Sequence, residues 1–248
     1  MSTFAIAAVI VLLASTVQAI SGFGFGLLTV PLLAHVIGPR DAIVVSAAAN
    51  LFSSSQVAWR CRAALDRRIF ARLFASNLLG MPIGLLLFAH LSEEMLKVLI
   101  GVVTLAFVLL LASGWQLRTG SNAIEYVAGW ISGALATSVG AAGPPLVVAL
   151  TARRVNPGVQ RPTLATTLFA QKVITVPLLL ATFAHQPGYF DRSPVSLLTL
   201  SAALFPAIVL GSMLGHRVGH GVDEERFRQF TLILLAAAGV LAISGAFS

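Results

Sequence analysis

The first 39 residues contain no charged side chain. A water-soluble fold has no use for such a stretch, because nothing in it can face solvent. It is long enough for two passes through lipid, at about 20 apolar residues per crossing helix. Further charge-poor apolar runs follow at 42–58, 73–89, 95–113, 123–139, 143–152, 162–184, 195–213 and 227–247. None alternates polar and apolar residues as the strands of a membrane barrel do, so the backbone groups must be satisfied inside helices. Charged residues make up 10% of the chain and the mean hydropathy is +0.92, against about a quarter charged in soluble domains. The expected fold class is therefore all-α: a polytopic integral membrane protein, one transmembrane domain over residues 1–248. Ten segments fit the runs. The runs after residue 26 and after residue 143 are short, so eight spans with two re-entrant pieces is the alternative.

The net charge is +7 and the isoelectric point about 11. In a soluble protein that would suggest nucleic acid as a partner. Here the basic residues fall in short loops between apolar runs, so no nucleic acid is expected and the lipid bilayer is. With ten passes, Arg60, Arg62, Arg67, Arg68, Arg72, Arg118, Arg153, Arg154, Arg161, Arg217, Arg226 and Arg228 share one side. Only Arg40, Lys97 and Arg192 fall on the other. Basic residues mark the cytoplasmic side, which places both termini outside. Trp59 and Trp115, at span ends beside the basic loops, read as interface anchors. No Lys or Arg precedes Arg40. The basic region of a cleaved signal is thus missing, and the first run reads as a retained span. The single cysteine, Cys61, excludes an intrachain disulfide.

The two halves, 1–118 and 119–248, resemble each other. Ser21-Gly22-Phe23-Gly24-Phe25-Gly26 lies over Ser138-Val139-Gly140-Ala141-Ala142-Gly143 at an offset of 117, and Leu51-Phe52 over Leu168-Phe169 at the same offset. Gly80 and Gly84 lie over Gly211 and Gly215 at an offset of 131, and Glu93-Glu94 over Glu224-Glu225. About five segments per half is an odd number, so the second half would insert upside down. Inverted repeats suit alternating access, with a site near mid-depth where the halves meet.

Three features point to an anion. The Gly-rich stretches should interrupt helices, because glycine weakens a helix and Pro144 and Pro145 lack amide donors. Unwound backbone at membrane depth is tolerated only in buried or cavity-lining positions. Helix starts near Gly26 and Gly143 would present free N–H groups, which favour anions. Lys172 is the one charge in mid-span; an uncompensated lysine there costs about 2.5–3.5 kcal/mol on insertion scales, so it should face a cavity or a partner. The expected substrate-binding set is Lys172, Gln171, Ser21, Gly22, Gly24, Gly26, Asn50, Thr137, Ser138, Gly140, Gly143 and Pro144. By contrast, the Gly80/Gly84 and Gly211/Gly215 pairs read as helix-packing faces. Glu93-Glu94 and Glu224-Glu225 read as solvated helix starts. His35, His90 and His185 sit at span ends, and His216 with His220 in a glycine-containing loop does not read as a metal site. No catalytic set, phosphate loop or zinc spacing is present, so neither an enzyme nor a cofactor is expected.

With these motifs in place the chain resembles the TauE/SafE family, also called the 4-toluene sulfonate uptake permease family. The resemblance rests on Gly22-Phe23-Gly24-Phe25-Gly26 followed by Pro31, on Gly140-Ala141-Ala142-Gly143-Pro144-Pro145, and on Leu91-Ser92-Glu93-Glu94 with Leu96-Lys97. Ala142 departs from the pattern, where glycine is common. The resemblance implies a bacterial inner-membrane permease for a small anion, especially a sulfur oxyanion such as sulfite or an organosulfonate. No nucleotide-binding motif is present, so a gradient of substrate, protons or another coupling ion would drive transport. An anion channel and a non-transporting scaffold are the alternatives, and a homo-oligomer stays open.

Overall fold

The computed structural model of the chain describes residues 3–60, 62–113, 121–183, 189–218 and 224–247. Cys61, Trp115, Arg118, His185 and His220 lie outside the described residues. The described residues form eleven α-helices: α1 Thr3–Ser21, α2 Phe25–Ile37, α3 Pro39–Arg60, α4 Arg67–His90, α5 Glu93–Ala112, α6 Ala123–Ser138, α7 Gly143–Ala152, α8 Pro157–Phe183, α9 Pro194–Ala203, α10 Phe205–Val218 and α11 Glu224–Ser244. A short 3₁₀ turn, Arg62–Ala64, precedes α4.

These helices follow the apolar runs, with two refinements. The run expected at 195–213 is divided at Leu204 into α9 and α10. Pro206 lies just beyond the division, and its missing N–H deprives the backbone of a bond there. The helices also run past the apolar limits into the polar ends: α4 begins at Arg67 rather than at residue 73. Asp66 caps it by accepting from the Arg68 and Ile69 amides at 2.9 and 3.0 Å. Ser92 caps α5 and Ser193 caps α9 in the same manner. Among the described residues, five continuous helical stretches are long and apolar enough to cross a membrane, α9 with α10 counted as one. The chain is thus a multi-pass membrane protein.

Small residues bring the helices together. Lipid removes the hydrophobic drive for helices to associate, so close backbone approach takes its place. Gly80 and Gly84 of α4 lie against Trp130 and Ala134 of α6, while Gly129 and Gly133 of α6 lie against Leu73 and Asn77 of α4. The contact positions rise together along both helices, so α4 and α6 run parallel. Likewise Gly211 meets Leu12 and Ser15, and Gly215 meets Thr16 and Ala19, so α10 runs parallel to α1. Gly101 of α5 meets Gly239 and Ile243 of α11, and Lys97 donates to the Gly245 carbonyl at 3.0 Å, which makes this pair antiparallel. Helix α3 packs on both α2 and α8.

The polar ends gather in two groups. In the first, buried Glu125 of α6 pairs with Arg72 of α4 and, at 3.1 Å, with Arg153 after α7. Arg161 donates to the Ala19 carbonyl at the end of α1 at 2.7 Å, and the Asp66 amide donates to Thr163 at 3.4 Å. In the second group, Arg192 pairs with Asp41 at 3.2 Å, and Arg40 donates to the Leu91 carbonyl at 3.2 Å while its guanidinium lies 4.2 Å from the centre of the Tyr189 ring. Helix ends from one group never mix with the other in these pairings, as alternate crossings require.

Candidate anion site at the junction of two helix breaks

After Ser21 the chain leaves α1 through Gly22 (φ 83°) and Gly24 (φ 98°) before entering α2. Both glycines occupy the left-handed region that side chains with a Cβ avoid. The Ser21 hydroxyl lies 2.8 Å from the carbonyls of Val17 and Phe23 and so ties the turn internally. The second break follows the same logic: α6 ends at Ser138, Gly140 takes φ 70°, and α7 starts at Gly143.

The two breaks touch. A Cβ built on Gly26 would overlap the Gly140 carbonyl, and one on Gly143 would come 3.2 Å from the Phe23 Cβ. At position 26 only glycine allows this approach. Helix α2 has 13 residues and α7 has 10, or about 20 and 15 Å at 1.5 Å per residue. Starting from their shared junction, α2 runs to the end group holding Arg192, which donates to the Ile37 carbonyl at 3.4 Å. Helix α7 runs to the group holding Arg153 and Glu125. The junction therefore lies near mid-depth, with a helix start facing it from each side. Neither start has a side-chain cap, unlike α4, α5 and α9. The first turn of a helix leaves its amides without intrahelical partners, and the helix dipole adds partial positive charge there. Helix α2 offers the amides of Phe25, Gly26 and Leu27. Pro144 and Pro145 strip α7 of two donors, so the first break is the richer anion-facing end.

A cavity sits at this junction, lined by Gln18, Gly24, Phe25, Gly26, Leu27, Asn50, residues 140–144 and Leu168. Every lining residue is buried, and there is room for about one water molecule. Six of the expected site residues line it: Gly24, Gly26, Asn50, Gly140, Gly143 and Pro144. The other six do not. Ser21 and Gly22 form the turn behind it, with Gly22 close to the Arg161 side chain. Thr137 donates across to the Met81 carbonyl of α4 at 2.9 Å and so serves helix packing, while Ser138 spends its proton on the Ala134 carbonyl of its own helix at 2.7 Å. Gln171 donates to the Ser132 carbonyl at 3.0 Å; the Ser132 hydroxyl in turn donates to the Ala142 carbonyl at 2.7 Å, which links Gln171 to the second break.

Lys172 is 1% exposed, and its Nζ has no hydrogen-bond partner among the described residues. It lies on α8 one turn after Leu168, which lines the cavity, and one turn before Val176, which packs on Ala47 and Ala48. The side-chain nitrogen is thus buried and unpartnered among the described residues, on a helix that walls the cavity, yet Lys172 is not itself part of the lining. Gln18 lines the cavity without belonging to the expected set; its place a single turn before the first break is the sequence signal that marks it.

The family model for the sulfite exporter TauE/SafE matches residues 7–242. The chain belongs to the TauE/SafE family. TauE/SafE proteins form a family of membrane transporters for sulfite and related anions, and not a family of enzymes. No curated protein and no solved structure matches the chain. In this TauE/SafE member the two Gly-rich motifs that carry the resemblance are the same two that meet at the cavity.

Proposed function

We propose that this TauE/SafE protein is a secondary permease that carries a small sulfur oxyanion or organosulfonate, such as sulfite, by alternating access. The observation that supports this reading best is the meeting of two uncapped helix starts at a buried cavity near mid-depth. Their amides would bind the anion, and Lys172 would supply the countercharge once the halves shift. A cavity this small and this enclosed suits an occluded carrier better than a continuous pore.

The packing supports the repeats at 1–118 and 119–248. Exchange α1 with α6, α4 with α9–α10, α5 with α11 and α3 with α8. The α1–α10 pair then becomes the α6–α4 pair, while α5–α11 and α3–α8 map onto themselves. Helix α1 runs toward the Arg161 group, whereas its counterpart α6 starts there, at Glu125. The counterparts therefore run in opposite senses, as inversion requires. By the positive-inside rule the group around Arg72, Arg153 and Arg161 faces the cytoplasm of a bacterium, from its inner membrane. A substrate or ion gradient, protons included, would drive the cycle.

Flux of sulfite into vesicles containing the purified protein tests the reading. Saturable flux is expected; unsaturable flux with single-channel steps would mean a channel, and no binding of any sulfur oxyanion would leave only a scaffold. Lys172→Met should abolish binding while the protein still inserts. Unchanged affinity would remove Lys172 from the site.

A further inference from the structure

Helix α2 is a strut between two places. Its start faces the cavity, and its last residue, Ile37, lies in the end group of Arg192. There one guanidinium ties separate parts of the chain together. Arg192, just before α9, donates through Nη1 to the Ile37 carbonyl at 3.4 Å and to Asp41 Oδ2, in the first turn of α3, at 3.2 Å. Asp191 lies over the turn between α2 and α3: a Cβ built on Gly38 would come 2.8 Å from its Oδ2. The Tyr189 hydroxyl donates to the Phe88 carbonyl of α4 at 2.7 Å, and its ring carries the Arg40 guanidinium. Residues 189–192 therefore latch the far end of α2 to the ends of α3 and α4. On the orientation proposed above this latch faces outward.

The charges in the latch do not balance. Asp41 is 1% exposed, and its Oδ1 accepts no hydrogen bond among the described residues. One guanidinium serves two carboxylates here, whereas in the opposite end group two guanidinium groups serve Glu125. Asp41 sits at the polar end, ahead of the apolar run that begins at residue 42. Burial, the largest effect, pushes its carboxyl up; the Arg192 hydrogen bond pulls it down, and the Asp191 carboxylate pushes it up again, to about 6. The other titratable groups on α3 and on the helices packed against it are engaged or distant. Arg40 is turned to Tyr189 and the Leu91 carbonyl, His35 of α2 faces Gly245, and Lys97 of α5 donates to the Gly245 carbonyl. Glu93 and Glu94 begin α5. Lys172 of α8 lies at mid-depth, and His216 with Arg217 ends α10 in the opposite group.

Opening the latch would hydrate Asp41 and return it to the ordinary range of a carboxyl in water, about 4. The closed latch thus holds a proton more tightly than the open one, and by linkage closure and proton uptake favour each other. We infer that Asp41 is the proton-binding site of the transport cycle, and that the outward face closes as Asp41 takes up a proton. The proton comes from the outer water, which reaches the latch along Arg192, whose side chain is 36% exposed. It is received at the unpartnered Oδ1. The sign separates this device from a simple ion-pair clamp, in which acid would free Arg192 and open the face. The inference rests on the alternating-access reading above and adds to it the residue that binds the coupling ion. Arg192 and Asp191 are positioning residues that set how tightly Asp41 holds the proton.

The test reads outside access to the cavity in intact cells, at about pH 7.5 and about pH 5, on either side of the Asp41 value. In a Cys61→Ser background, Ala141→Cys lines the cavity, and Glu94→Cys, exposed at the start of α5, reports thiol reactivity at each pH. The readout is the rate of labelling at 141 divided by the rate at 94, with an impermeant methanethiosulfonate reagent. With Asp41 in place the ratio should fall about fivefold or more on acidification. Asp41→Asn has no proton to take up, so its ratio should be the same at both pH values. Arg192→Gln keeps the carboxyl and removes its countercharge, so the fall should begin at higher pH; this variant decides the matter should Asp41→Asn fail to fold. A ratio that rises with acid, that stays flat with Asp41 present, that still falls in Asp41→Asn, or that falls only at lower pH in Arg192→Gln overturns the proton site. If sulfite nevertheless changes the ratio, alternating access stands without Asp41. If neither acid nor sulfite changes it, alternating access falls as well. Absence of label at 94 would invert the orientation and take Asp41 off the outward face.

Discussion

Gly26 shows how much rests on a missing methyl group. Its Cα faces the Gly140 carbonyl so closely that a Cβ has no place to go. The obstacle is backbone, which cannot swing aside as a flexible side chain can. Gly26→Ala should therefore push the two breaks apart. The expected cost is about 1–3 kcal/mol, the usual range for overpacking, together with loss of anion binding. Thermal unfolding in detergent with and without sulfite reads both effects; full stability with full binding would mean that the breaks need not touch. Glu125 makes a second case at this scale. It is wholly buried between Arg72 and Arg153, each with 22% of its side chain exposed. Removing one member of a buried pair costs several kcal/mol because the partner charge is stranded. Here both guanidinium groups still reach water, so the expected loss for Glu125→Leu is nearer about 2 kcal/mol. Salt should reduce that loss little, since the carboxylate lies out of solvent. An unchanged melting temperature would show that the pair is not holding the loops together.

Among the elements, the α4–α6 seam rests on backbone-to-backbone contact at four glycines, Gly80, Gly84, Gly129 and Gly133. This much was legible: the 80/84 pair reads as a packing face from spacing alone. The partner was not legible, because spacing marks a face without saying what covers it. The parallel register predicts a specific cross-link. Asn77 of α4 donates to the Ser132 hydroxyl of α6 at 3.3 Å, so the pair Asn77→Cys and Ser132→Cys, with Cys61→Ser, should be joined by a short thiol cross-linker. Moving the second cysteine from 132 to 124 should prevent it, because that position sits about two turns back along α6. Cross-linking of the displaced pair would contradict the register. Elsewhere Leu79, which is 72% exposed on α4, points away from every seam; Leu79→Ala should leave thermal stability unchanged within about 0.5 kcal/mol.

For the whole molecule, the two end groups make topology testable in a single protein. A cysteine at Arg154 and one at Arg192 lie in opposite groups. In a Cys61→Ser background, an impermeant external thiol reagent applied to intact cells should label the cysteine at 192 and spare the one at 154. The reverse pattern would invert the orientation without disturbing the fold, and labelling of both would break the alternation of crossings. If the halves rock, sulfite should also alter labelling at a position beside the cavity, such as a cysteine at Ala141.

The sequence by itself determined the helical membrane class, the apolar helices, the two interruptions and the separation of basic loops. These follow from local quantities: the length of charge-free runs, the dihedral freedom of glycine and the missing amide of proline. What only the tertiary structure decided is which distant positions share a point in space. Gly26 and Gly140 meet because small residues along α1–α10 and α4–α6 let backbones close up. Gln18 joins the cavity because α1 and α3 present Gln18 and Asn50 to each other. Lys172, the most conspicuous residue in the chain, lies off the lining because packing, not hydropathy, sets which face of α8 looks inward. Patterns along a chain report how each segment meets its solvent; they carry no information about which neighbour replaces that solvent when helices pack.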